Sequence, residues 1–222
     1  MKVITIQIAL FFKDIISRPD LLAEDINKKL GGIFDAMPTC IDLPLDAPAE
    51  IPVVQRKSTR LPHVLNVSRN RCDLILTPLV ENSYLSVVEA RYGNEILEYI
   101  KAAMQGNEIV RTGIIYTVFQ EDKKPCEHIS DKYFGGLIKG GSELSFRVNK
   151  VSNVKGIDIN CVLNITNAIA ETNGQEEEGI LYIRDINNVV NVTNAPLTFK
   201  QLNNICKHSY TYLNEQTFGE AK

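Results

Sequence analysis

No two cysteines in this sequence stand in C-x-x-C spacing, although there are five of them: Cys40, Cys72, Cys126, Cys161 and Cys206. An odd, scattered set excludes a disulfide framework and a zinc ribbon, and it fits a reducing compartment. Histidine is also scarce. His63, His128 and His208 lie far apart, none with a His or Cys at ligand spacing, so no metal site is expected. No stretch approaches the roughly 20 apolar residues of a membrane span, so no membrane partner is expected. Charge of one sign is lacking too. Twenty-four Lys and Arg against 27 Asp and Glu leave a formal net charge of -3, so there is no global attraction to nucleic acid or anionic membrane.

What is present is ordinary in bulk and patterned in detail. A chain of 222 residues, 44 % hydrophobic and 23 % charged, has enough apolar side chains for a core without covalent staples. Ile157, Ile159, Cys161, Leu163 and Ile165 recur at every second position, with Asp158, Asn160 and Asn164 between them. Successive strand residues point to opposite faces, so this is a strand with one dry face. Ile4, Ile6, Ile8, Leu10 and Phe12 predict a first strand with the same logic. Lys13 and Asp14 follow it without the small-residue cleavage pattern of a signal peptide.

Further strands are predicted near 51–57, 63–68, 72–77, 109–119, 143–151, 157–169 and 179–190. Helices are predicted over 19–30, with Pro19 and Asp20 in the first turn and Gly31 as the stop; from Asn82 or Ser83 to Gly106, with a possible bend at Gly93; briefly near 127–134; and after Thr198. There Thr198 and Gln201 have capping-box spacing, and Leu197 and Leu202 have staple spacing. Residues 37–52, with four prolines, read as an acidic connection, and Glu171–Gly179 as a polar turn. Parallel βαβ units need a helix after nearly every strand, and that alternation is missing. The expected class is α+β: mainly antiparallel sheet in two halves, 1–106 and 107–222, or one continuous domain, with helices packed on one side.

The connection into Ile51-Pro52-Val53-Val54-Gln55, the strand Val110-Arg111-Thr112-Gly113-Ile114-Ile115-Tyr116, and the closing strand pair plus helix resemble a family of sporadically distributed, uncharacterised bacterial proteins. The resemblance implies an α+β fold and a patchy bacterial or mobile-element distribution. It carries over no catalytic residue.

Four constellations bear on chemistry. Arg56, Lys57, Arg60, Arg69 and Arg71 fall within sixteen residues, with no acid before Asp73. Such cations neutralise phosphates, and Arg forks bind them bidentately; the alternative is a solvated hairpin, or one that pairs with the acidic segment before it. Gly135–Ser142 resembles a phosphate loop, but Gly141 stands where a P-loop needs Lys, and a strand follows instead of a helix. Cys126 and His128 would share a face on a strand, as a thiol nucleophile and its base do; chance polar residues in a loop give the same string. Tyr210, Tyr212 and Phe218 form either an aromatic interface stripe or helix packing. These features predict a cytoplasmic, non-enzymatic module that binds a protein partner. Nucleic-acid or phosphate-ligand binding through the 56–71 hairpin is the alternative, and no cofactor is expected.

Overall fold

In the computed structural model the chain forms one nine-stranded antiparallel sheet with four helices on one face. Residues 1–44, 46–79, 85–172, 175–189 and 195–213 are described. The strands are β1 Lys2–Phe12, β2 Thr39–Cys40, β3 Val54–Lys57, β4 Val64–Val67, β5 Arg71–Leu76, β6 Ile109–Glu121, β7 Ser145–Val154, β8 Ile157–Thr172 and β9 Gln175–Asn188. They lie in the order β2-β3-β4-β5-β1-β6-β9-β8-β7. The ladder between β1 and β6 joins the segments before and after the Gln105–Asn107 break into one sheet. The helices are α1 Pro19–Lys29, α2 Leu85–Ala103, α3 Pro125–Phe134 and α4 Phe199–Thr211. The fold is therefore α+β, as the patterning predicts.

Strand alternation fixes which face is dry. Ile6, Ile8 and Leu10 of β1, Leu74 of β5, Ile114, Tyr116 and Val118 of β6, and Ile159 and Ile165 of β8 are all at most 1 % exposed. The helices supply the other half of this core. Tyr99 of α2 directs its hydroxyl at the Ile8 carbonyl (3.3 Å) and the Cys72 sulfur (3.0 Å), which pins α2 over the β1–β5 seam. Tyr116 meets Ser209 of α4 at 2.8 Å. Arg56 of β3 pairs with Glu24 of α1 on the same side.

Two local devices behave as their residues require. Thr198 Oγ1 accepts from Gln201 N (3.3 Å) and Gln201 Oε1 accepts from Thr198 N (2.8 Å), so the capping box closes and α4 starts where the spacing places it. Helix α2 runs unbroken through Gly93, whose missing side chain leaves room for the Tyr210 hydroxyl of α4, 3.6 Å from where a Cβ would stand.

Three expectations are corrected. The register of β1 shifts between Val3 and Thr5. One extra residue reverses the alternation, so Val3 enters the core (2 % exposed) and Ile4 leaves it (37 %). The 37–52 connection contains a short strand, with Thr39 and Cys40 pairing with Gln55 and Val54. Residues Glu171 and Glu176–Glu178 do not form a turn: they belong to a β8–β9 ribbon extending past the last β6 partner, Glu121. A ribbon wet on both faces tolerates polar side chains, so polarity does not interrupt it. Of the residues singled out in the sequence, Asn82, Ser83 and Phe218 lie outside the described residues.

Candidate functional site

Among the described residues, no helix packs on the face of the sheet opposite α1–α4. The side chains of that face follow from register alone. Gln55, Asn66, Asp73, Ala9, Gly113, Asn187 and Asn160 stand side by side on seven adjacent strands, from β3 to β8. Their amides bond along the row. Gln55 Nε2 donates to Asn66 Oδ1 (2.9 Å), Asn160 Nδ2 to Asn187 Oδ1 (3.1 Å) and Asn187 Nδ2 to Asp185 Oδ1 (3.0 Å). Asp73 accepts from Gln7 Nε2 (2.9 Å) and from Arg71 Nε (3.0 Å), so its charge is compensated although it is buried. At the centre the row narrows to Ala9 opposite Gly113.

Beside the amides runs an aliphatic strip. Ile75, Ile115, Leu181 and Ile183 project from β5, β6 and β9 on this face and are half-buried. At one end of the face, Phe11 lies between Arg71 and Arg111, whose guanidinium carbons are 4.8 and 5.1 Å from its ring centroid. Cations at this range are attracted by the negative face of an aromatic ring.

The five cations singled out in the sequence do not converge. Arg56 points to the helix side and pairs with Glu24. Lys57, next in the strand, points the other way and is exposed. Arg60 pairs with Asp35 at 3.2 Å. Arg69 donates to the Ala47 carbonyl and so holds the preceding connection. Neighbouring Asn70 donates to Glu50 (3.1 Å), and that carboxyl sits below its usual range, first through this bond. Arg71 joins the open face through Asp73 and Phe11, and Lys57 stands on that face on β3, beyond β4.

The other candidates separate as well. Cys126 and His128 lie on α3 and not on a strand. Two residues of helix turn about 200°, so Cys126 lines one hollow, with Glu127, Ile138 and Leu144, while His128 lines another. The partner of His128 is Asp122, which the sequence reading missed. In the glycine-rich loop, Leu137 is 86 % exposed and Ile138 N donates to Ser130 Oγ (3.1 Å). His208 is half-buried, edge-on to Tyr212 at 4.9 Å. Tyr210 and Tyr212 pack against the core and Leu213 is buried, which is the helix-packing alternative. Among the described residues, no three His, Cys, Asp or Glu side chains are placed to hold a metal ion. No helix among them is long and apolar enough to cross a membrane.

No protein-family model matches the chain, and no curated protein matches it.

Proposed function

We propose that this chain is a cytoplasmic protein-binding module of a bacterial or mobile-element complex, and that its partner docks on the open face of the sheet. The observation that carries this reading is the aliphatic strip of Ile75, Ile115, Leu181 and Ile183 beside a row of bonded amides. Interface cores are depleted in charge and more apolar than the remaining surface. The five free thiols support a reducing compartment.

Binding of nucleic acid through the 56–71 segment is the second reading, favoured by one observation: Arg71 and Arg111 flank Phe11 on the open face. Against it, Arg56, Arg60 and Arg71 are each engaged by a carboxylate of this chain, which lowers the positive charge left for phosphates.

A photo-crosslinking side chain placed at Thr117, on the open face, and at Lys28, exposed on α1, separates the readings. In native lysate at physiological salt, a discrete protein adduct is expected from position 117 and none from 28, and Ile183→Glu should abolish it. Adducts from both positions, or from neither, overturn the proposal. Nuclease-sensitive adducts that fade with salt and with Arg111→Ala replace it by the second reading.

A further inference from the structure

On the helix-covered side, far from the open face in the strand alternation, His128 and Asp122 form a pair with opposite exposures. The Asp122 side chain is 5 % exposed and that of His128 is 60 %. Asp122 directly follows β6. Its Oδ1 accepts from Lys124 N (2.8 Å), which leaves Oδ2 for His128 Nδ1. A buried carboxylate held from behind by a backbone amide fixes the imidazole. Nδ1 carries its hydrogen toward Asp122, and Nε2 presents a lone pair to solvent.

His128 lines a hollow of about 430 Å³ between α3, β6 and β9. Gln120, Ile180 and Tyr182 form its walls, and Asp131 and Lys132 share the rim with His128. His128 and Lys132 are four residues apart on α3, so they stand one above the other on one helix face. Lys132 lines the hollow as well, and its Nζ lies 5.4 Å from the Tyr133 ring centroid. The titratable groups facing the imidazole are Asp122, Asp131, Lys132 and Tyr182.

We propose that this hollow is a hydrolytic site for small acyl esters, with His128 as general base, Asp122 as a positioning residue and Lys132 as the cation for the oxyanion. The hollow offers no serine or cysteine beside His128, so the nucleophile is water. His128 Nε2 takes one proton from water while the water oxygen bonds to the carbonyl carbon. The carbonyl π pair moves to its oxygen, beside Lys132. When that pair returns, the bond from carbon to the leaving oxygen breaks, and the alcohol departs with the proton from Nε2. The products are a carboxylic acid and an alcohol, and no oxidant or cofactor is consumed.

The test uses the full chain and p-nitrophenyl acetate. Saturable turnover is expected. His128→Gln should lower kcat/KM by about 10²- to 10⁴-fold, the contribution of a positioned general base. Asp122→Asn should lower kcat with KM unchanged, which a merely structural role would not do. That variant keeps an oxygen to accept from Lys124 N but sets an amide N–H against Nδ1. Lys132→Met, at an exposed position, is the second variant, and it too should lower kcat. A rate linear in ester and equal in wild type, Asp122→Asn and Lys132→Met is the background of any surface imidazole and overturns the proposal. Docking on the open face and hydrolysis here fail separately, since the two sites share no residue.

Discussion

Helix α4 is fastened to the centre of the sheet by one hydroxyl relay, and deleting it link by link has a calculable outcome. Tyr116 and Ser209 are both fully buried, with their oxygens 2.8 Å apart. Ser209 Oγ donates its hydrogen to the Cys206 carbonyl at 2.6 Å, so toward Tyr116 it can only accept. Burial raises the Tyr116 phenol well above its usual range, so it keeps its hydrogen and donates. Ser209→Ala strands that donor in a dry core, at a cost of about 1–3 kcal/mol. Tyr116→Phe removes the donor while Ser209 keeps its helix partner, and costs only about 0.5–1.5 kcal/mol. The double variant has no stranded group at this contact. It should therefore fall short of the sum by about 1 kcal/mol, within the range of coupling between contacting residues. Urea unfolding of the four proteins, with equal slopes, reads the cycle. Costs that add within about 0.5 kcal/mol would refute the relay, and so would Ser209→Ala costing no more than Tyr116→Phe.

Two further outcomes follow from packing and titration. At Gly179 of β9 a Cβ would run into the Gln120 carbonyl and the Phe119 ring, so Gly179→Ala should cost about 1–3 kcal/mol by overpacking; an unchanged urea midpoint contradicts that crowding. His63, 2 % exposed, accepts from Thr77 N at 3.3 Å and sits below its ordinary value of 6.5, chiefly through burial. The unfolded chain binds its proton first, so this contribution to stability is complete above about pH 6.5 and declines as the pH falls below it. His208 is shifted the same way by burial. Melting temperatures between pH 7.5 and 5 should fall in wild type and flatten in a His63→Gln, His208→Gln double variant; parallel curves would sink the argument.

Local signals in this chain were readable and long-range ones were not. Thr198, Gln201, Leu197 and Leu202 lie within six positions, and their interactions close within one turn, so their spacing is sufficient to place α4. The strand alternation from Ile157 to Ile165 was legible for the same reason. The bulge at Val3–Thr5 was hidden because Ile4 continues the apolar alternation of Ile6 and Ile8; only the β6 register shows that it is displaced. The cluster from Arg56 to Arg71 is dense in one dimension. Alternation and the intervening turns then send its side chains to Glu24, Asp35, the Ala47 carbonyl and Asp73. Asp122 and His128 are six residues apart, a spacing that means nothing until Pro125 starts a helix between them.

The two proposed sites follow from one architectural fact, that helices cover a single face of a wide sheet. A face without a second layer must keep its own backbone and side chains satisfied. Here bonded amides do so on either side of the centre, Gln55 with Asn66 on β3–β4 and Asn160 with Asn187 on β8–β9. Stability then resides in the helix-side core, and substitutions in the aliphatic strip are expected to change docking before they change folding. On the covered side the layer ends where β6 gives way to α3. There a carboxylate can be buried at 5 % exposure while the imidazole it holds stays in water. A buried anchor under an exposed base needs the rim of a layer. A core position would bury both groups.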